Sequence, residues 1–265
     1  MCHELADEVD QSEVQKLWLS LYSAIAVLCV DQRPSVRKSA GQTLFGTISA
    51  HGSSLDHETW RQLFWNILFP ILDNAERATE NPENGEKKSS NFLVHHSRDT
   101  SEKQWAETKR LTLQGLTKLF KANKSGLTNQ EWVRLRLQKR PNKRKNSRCF
   151  FSFLSLEFRC WKGMLQYIES AAFSENSEVS GGALESFSEL LEACPEIKPD
   201  NPEMGKETLL PALSAAWAMW INIADKMLLK YEGSQNSGAI PKQEFLQAWA
   251  KLLPKFTDKI KENIT

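Results

Sequence analysis

The sequence predicts an all-α protein, arranged as a solenoid of about four antiparallel helical hairpins. Apolar residues recur at spacings of three and four over most of the 265 residues, and no segment shows a convincing strand pattern. A corner of defined residue pattern joins the first two helical segments, and a partial copy of it returns near residue 180. These observations together favour repeated helical hairpins.

Four helices are predicted in the first half of the chain, at about 13–29, 34–50, 56–72 and 101–121. Six residues of the first helix are expected to share the face that packs inward: Val14, Leu17, Trp18, Leu21, Ile25 and Leu28. Gly52 follows the second helix and is expected to cap it in a left-handed conformation. Pro70 lies inside the third helix and should kink it locally. The polar residues 79–100 predict a loop.

Helical periodicity resumes near residue 158 after an irregular segment. Further helices are predicted at about 158–172, 206–231 and 241–260, and another continues from the repeated corner at 174–183 and stops before Pro195. Trp217 and Trp220 share one face of the helix at 206–231, which we interpret as core packing, with a partner groove as the alternative. The predicted organisation is therefore helical hairpins in residues 1–122 and 158–265, separated by a basic, irregular insert at 123–157.

The corner between the first two helices occupies residues 31–40. Asp31 can cap the coming helix, and Pro34 suits its first turn, where the missing N–H costs nothing. Val36 and Ala40 lie four residues apart and face the same way, while Arg37 can reach back to an acceptor in the turn. This pattern is typical of HEAT-type or armadillo-type hairpins. We interpret these five residues as a structural corner, with a binding ridge as the alternative.

Several functional classes are disfavoured by composition. Five scattered cysteines without a CxxC pair argue against a disulfide framework or a zinc site, and Cys29 and Cys194 are predicted to be buried thiols. The first twelve residues are acidic and lack the features of a signal peptide, so a cytosolic protein is expected. Ser97, Arg98 and Asp99 are residue types that hydrolases use, but no Gly-rich elbow accompanies them, so no catalytic residues are predicted. No metal-binding or cofactor-binding residues are predicted either.

A basic run at residues 134–148 contrasts with the formal net charge of +1, because eight cations and no acid lie within it. Its candidate anion contacts are Arg134, Arg136, Lys139, Arg140, Lys143, Arg144, Lys145 and Arg148. A solvated insert is the favoured interpretation. Contact with anionic lipid is the next, and nucleic-acid binding is disfavoured because aromatic residues are absent from the run.

The segment before the fourth helix is a candidate docking strand for a partner. Its candidate contact residues are His95, His96, Arg98, Asp99 and, within the helix, Trp105. Adjacent histidines diverge and have no third ligand nearby, so a metal site is disfavoured. Asp99 or Ser101 is expected to cap the helix.

Four stretches of this chain closely resemble the carboxy-terminal region of the Mon-two protein family: residues 17–22, 29–45, 48–52 and 95–108. The family comprises large HEAT/armadillo-type scaffolds, similar to the Sec-seven-type exchange factors for Arf GTPases but without their catalytic domain. The resemblance is strong over residues 13–122 and moderate over 161–194. Residues 123–157 do not match, and both a genuine insert and a retained intron fit that segment.

This resemblance implies a non-catalytic scaffold in membrane traffic and protein transport. The implied location is cytoplasmic and peripheral on trans-Golgi network and endosome membranes. Dopey-family proteins and Arf-like GTPases are the implied partners, and no small-molecule substrate is expected. Because family members are far longer, the chain is expected to be a fragment or a truncated gene product.

Overall fold

The computed structural model describes residues 11–80, 100–123, 156–194, 202–233 and 243–264. Every regular element in these ranges is helical, so the all-α prediction is confirmed. The number of hairpins stays a prediction, and so do the domain limits. The predicted docking strand at 95–99 and the basic run at 134–148 lie outside the described residues.

Ten α-helices occupy the described residues, together with a 3₁₀ turn at Gly52–Ser54 and a π-helical turn at Leu63–Leu68. The helices are α1 (Gln11–Cys29), α2 (Pro34–His51), α3 (His57–Gln62), α4 (Phe69–Glu80), α5 (Ser101–Ala122), α6 (Leu156–Ala172), α7 (Ser177–Glu192), α8 (Pro202–Gly233), α9 (Gln243–Ala250) and α10 (Leu252–Ile264).

The first of two compact units contains the described residues up to Thr112. In it, α1 packs against α2, α3 and the π-helical turn. Gln15 fastens α1 to the turn after α2, because its amide donates to Ser54 O at 2.9 Å and accepts from Asp56 N at 3.3 Å. The largest side chains of its core are Tyr22, Leu44, Ile48, Trp60, Leu63, Phe64, Leu68 and Leu72.

The second unit begins at Leu113, within α5, and contains the remaining described residues. In it, α6 packs against α7 and α8, and α7 packs against α9 and α10. Trp161 anchors this core, since its indole Nε1 donates to Ala212 O at 3.1 Å and its ring lies 6.0 Å from that of Phe120. Cys160 and Cys194 are buried here, as Cys29 is in the first unit.

The inward face predicted for α1 is wrong. The buried positions are Gln15, Tyr22 and Cys29, whereas Leu17 is 68% exposed. Hydrophobicity could not identify the inner face, because α1 is apolar on both sides. The polar Gln15 belongs inside because it binds backbone groups of the turn after α2.

Two other local expectations are corrected by the structure. Gly52 has φ −58° and ψ −28°, so it lies in the right-handed region and begins the 3₁₀ turn instead of capping α2 in a left-handed conformation. The third predicted helix is divided by the π-helical turn that precedes Pro70. A proline ring clashes with the carbonyl four residues earlier, and a widened turn at that carbonyl accommodates it.

The last two predicted helices also have different limits. The helix expected from about 206 begins at Pro202 and continues through Pro211. The helix expected over 241–260 is interrupted at Lys251, between α9 and α10. Pro254 explains the break, because it cannot donate to the carbonyl of residue 250 and its ring crowds that group.

Candidate functional site

The corner between α1 and α2 is organised by Asp31, although not as a helix cap. Its carboxylate accepts hydrogen bonds from Arg33 N, Nε and Nη2 at 2.9, 3.0 and 3.1 Å. Arg33 itself occupies the N-cap position, and its side chain makes no capping bond. These bonds hold the pKa of Asp31 down at about 2, since they favour the charged carboxylate. Asp31 therefore shapes the turn before α2.

Arg37 is the buried centre of this corner, with 2% of its surface exposed. Its Nη1 donates to the carbonyl oxygens of Asp31 and Gln32 at 2.8 and 2.9 Å. Its Nε donates to Thr108 Oγ1 at 3.0 Å, and its guanidinium lies 3.8 Å from the centre of the Trp105 ring. The side chain thus ties the turn before α2 to the first half of α5.

Burial lowers the pKa of Arg37, while the charges of Asp31 and Glu107 oppose that shift. A guanidinium nevertheless remains charged in proteins, so Arg37 is a fixed buried cation. A neighbouring ion pair, Lys38 Nζ to Glu107 Oε1 at 3.4 Å, adds a second link between α2 and α5. The corner is therefore a structural joint with charged groups.

The other corner residues differ in burial from the sequence pattern. Ala40 is buried, but Val36 is only half-buried and Pro34 is exposed in the first turn of α2. The buried stripe of α2 consists of Arg37, Ala40, Leu44 and Ile48. Arg37 therefore lies on the seam itself, because the 3.6-residue period places positions three and four apart on one face.

The partial copy of the corner, at residues 174–183, is closed by local bonds. Asn176 caps α7, since its side-chain oxygen accepts from Glu178 N at 2.9 Å and Val179 N at 3.4 Å. Ser180, which stands at the offset of Arg37, donates to Ser177 O at 3.3 Å. The two corners have the same residue spacing. Among the described contacts, however, Ser180 makes no long-range bond comparable to that of Arg37 with Thr108 on α5.

Trp105 is the one predicted docking residue within the described ranges. It is half-buried, and its ring is covered on one face by Arg37. Cation–π packing of this kind contributes to internal stability. The structure thus brings Trp105 together with the corner residues, while its role in partner docking stays a prediction.

A cluster of tryptophans in the second unit was only partly foreseen. The rings of Trp220 and Trp249 stack with centres 4.4 Å apart and planes 4° from parallel. Each indole Nε1 donates to the other residue's carbonyl oxygen at 3.2 Å. Trp217 lies beside them, with its ring 5.0 Å from that of Trp220, and is 41% exposed. Sequence spacing placed Trp217 and Trp220 on one face of α8, but no sequence signal pointed to the clasp with α9.

Within the ranges that the structure describes, His, Cys, Asp and Glu side chains form no group of three or more that could hold a metal ion. None of the helices in those ranges combines the length and the apolar character needed to cross a bilayer. The most developed polar arrangement in the first unit is the Arg37 corner, and its hydrogen bonds and ring contact serve packing.

Comparison with known proteins identifies relatives across animals. The family described as the C-terminal region of Mon2 protein matches residues 3–131. A Drosophila melanogaster protein named Mon2 homolog is 36% identical and aligns with 97% of this chain but 15% of its own length. The Homo sapiens protein of that name is 44% identical over 71% of this chain and 10% of its own length. The chain therefore spans a small part of these relatives.

A more distant similarity links the chain to guanine nucleotide exchange proteins. The Arabidopsis thaliana protein named brefeldin A-inhibited guanine nucleotide-exchange protein 2 is 36% identical over 63 residues, which cover 24% of this chain and 4% of that protein. No solved structure matches the chain significantly.

Proposed function

This chain belongs to the Mon2 family, and from that membership we propose that it is a non-catalytic, helical-repeat scaffold segment in membrane traffic between the trans-Golgi network and endosomes. The observation that carries the proposal is the alignment of 97% of the chain with the fly Mon2 homologue. Because that alignment includes only 15% of the relative's length, the proposal concerns the part that this segment plays in a longer scaffold.

The use of the polar side chains supports a scaffold role. Arg37 donates its hydrogen bonds to the turn before α2 and to Thr108. Glu192, on α7, joins α5 to α10 by ion pairs with Lys121 and Lys255. Polar groups that fasten helices to one another are expected in a stacked helical repeat, whose neighbouring hairpins hold a continuous surface for partners.

Similarity to exchange proteins supports partners from the Arf GTPase system. We expect Arf-like GTPases and Dopey-family proteins to bind the scaffold that contains this chain, and we expect it to be peripheral on trans-Golgi network and endosome membranes. The similarity covers 24% of the chain for the exchange protein from Arabidopsis thaliana. We propose binding without catalysis of nucleotide exchange.

The test is affinity capture from cytosol with the 265-residue chain as bait. The bait must first show helical circular dichroism and cooperative urea unfolding. We expect recovery of Dopey-family proteins or of Arf-like GTPases, with GTPase capture compared between the GTP-bound and GDP-bound forms. A folded bait that recovers neither class would contradict the proposal. Acceleration of GDP release from the captured GTPase would contradict its non-catalytic part.

A second candidate function is binding to anionic lipid or nucleic acid through the basic run at 134–148. It is favoured by eight cations without an intervening acid. Contacts to phosphate groups release counterions, so such binding would weaken steeply as salt is raised. Absence of binding to vesicles, RNA or DNA at low salt would exclude this candidate.

A further inference from the structure

One face of α1 is apolar although no described element covers it. This face, which we call the outer face of α1, consists of Leu17, Leu21, Ala24 and Leu28, at spacings of four, three and four. Leu17, Leu21 and Leu28 are 68%, 44% and 45% exposed, and Ala24 is also exposed. The opposite face of α1 already packs against α2 and α3. The helix therefore has an apolar surface on both sides.

Charge is absent along this surface. No charged residue occurs between Lys16 and Asp31, whereas the exposed face of an ordinary surface helix is rich in them. A helix that is apolar all round is normally buried. Hairpins that end a repeat array carry a polar outer face, because that face meets water. The outer face of α1 has the opposite character.

We propose that the outer face of α1 packs against an amphipathic helix of another hairpin, supplied by a full-length Mon2-family protein that contains this sequence. The surface suits such a partner. One row of side chains on α1, at spacings of four, consists of Ser20, Ala24 and Leu28. Because Ser20 and Ala24 are small, this row leaves a groove along the first part of the helix. A row of larger side chains from a crossing helix can then lie beside Leu17 and Leu21. The partner helix should present an apolar, uncharged ridge.

The size of the face favours a tethered partner over a second copy. Residues 17–28 extend about 17 Å at 1.5 Å per residue, and a helix is about 10 Å wide. Such a strip covers on the order of 200 Å², well below the roughly 800 Å² per partner of a stable complex between separate proteins. A tethered helix needs less area, because its effective concentration is on the order of millimolar.

Two further observations support this occupant over others. The chain aligns with only 15% and 10% of the fly and human relatives, so a full-length family member has ample chain to supply the helix. Helices that lie on membranes typically carry Lys and Arg on their polar face, which α1 lacks between Lys16 and its end. This inference is separate from the proposed trafficking role and does not depend on it.

Cysteine labelling tests the proposal. Leu17→Cys and the matched control Gln42→Cys, an exposed position on α2, are prepared in the 265-residue chain and in a full-length Mon2-family protein that contains this chain. Maleimide labelling is then followed peptide by peptide with mass spectrometry. Native Cys29 should label slowly in both, since burial raises the pKa of its thiol to about 11.

We expect position 17 to label at least about tenfold more slowly in the full-length protein, because a tethered helix is bound most of the time. Position 42 should label at the same rate in both proteins. Equal rates at position 17 would overturn the proposal. The proposal would also be overturned if position 17 of the 265-residue chain became more protected as the chain concentration rose and a mass measurement showed a dimer. That result would identify a second copy as the occupant. Protection that requires phosphatidylcholine–phosphatidylserine vesicles would instead identify a membrane.

Discussion

At the scale of single residues, the buried side chain of Arg37 makes three hydrogen bonds and one cation–π contact. It donates to two carbonyl oxygens of the turn before α2 and to Thr108 Oγ1, and it lies on the ring of Trp105. The planar guanidinium can do this because its donors point in fixed directions. Removing it would leave these acceptors without their donor and open a gap beside the indole.

We predict that Arg37→Ala lowers the free energy of unfolding by about 2–4 kcal/mol, because buried hydrogen bonds from a charged group are lost. Arg37→Lys should recover only part of this loss, since an ammonium cannot reproduce the fork. Urea unfolding followed by circular dichroism measures both changes.

The control for this prediction is Arg33→Ala in the same corner. Arg33 is an exposed arginine that bonds to the Asp31 carboxylate, and exposed ion pairs contribute little. Its substitution should therefore destabilise the protein less than that of Arg37. An equal or larger loss for Arg33→Ala would show that the buried contacts of Arg37 are not what holds the corner.

The ion pairs of Glu192 predict that the free energy of unfolding falls as the pH is lowered. Hydrogen bonds from Lys121 and Lys255 lower the pKa of its carboxyl from 4.5 to about 2. A lowered pKa in the folded state stabilises the protein above pH 4.5, and this contribution is lost as the pH falls from about 4.5 to about 2. Because the side chains are partly exposed, solvent screening keeps the contribution below about 1 kcal/mol.

Glu192→Gln should therefore lower the urea midpoint at pH 6 and have little effect near pH 2. Unfolding curves at a series of pH values measure this. Lys255→Gln should remove part of the same effect, and the double variant should lose less than the two single losses combined. Strict additivity, or an equal effect of Glu192→Gln at both pH values, would contradict the coupling.

At the scale of elements, the stacked Trp220 and Trp249 join α8 to α9. The two indole hydrogen bonds are reciprocal, so each ring both packs on its partner and holds the partner's backbone. Short helices such as α9 are marginal by themselves. We infer that the clasp is a main reason why α9 keeps its position in the second unit.

We predict that Trp249→Phe costs about 1–3 kcal/mol, because one partly buried indole hydrogen bond and part of the stacking are lost. The exciton signal of stacked indoles in far-ultraviolet circular dichroism should disappear with it. Trp217→Phe is the matched control: this ring is 41% exposed, so a smaller loss and a retained exciton signal are expected. Equal losses for the two variants would contradict the importance of the clasp.

Most helices could be predicted from the sequence, whereas their packing faces and interruptions could not. The limits of α2 and α5 differ from the predicted ones by one residue or less, because Pro34 and local periodicity mark them. The inner face of α1 was missed because both of its faces are apolar. The break at Lys251 was missed because the apolar period continues across it and only Pro254 signals an interruption.

At the scale of the whole molecule, the two units are each held by their own apolar core, and the boundary between them lies within α5. Family membership is the strongest statement at this scale, because the alignment with the fly homologue extends over 97% of the chain. The basic run at 134–148 lies outside the described residues, so its role stays a prediction.

We predict that deletion of residues 134–148 leaves binding to anionic vesicles unchanged. A single run of like charges is usually solvated, and stable electrostatic adsorption requires it to lie against the bilayer surface. Flotation of the intact and deleted chains with phosphatidylserine-containing liposomes measures this, with neutral liposomes as the control. Loss of flotation on deletion would instead support the lipid-binding alternative.

By itself, the sequence determined that this protein is helical, where most of its helices lie, and to which family it belongs. These properties are local or cumulative: periodicity, proline positions and matching residues are all read along the chain. The tertiary structure alone decided that Arg37 bonds to Thr108, 71 residues away, and that Trp220 stacks on Trp249. It also decided that none of the described helices covers one apolar face of α1. Such features depend on which helices meet in space, and the sequence pattern of a helix does not specify its neighbour.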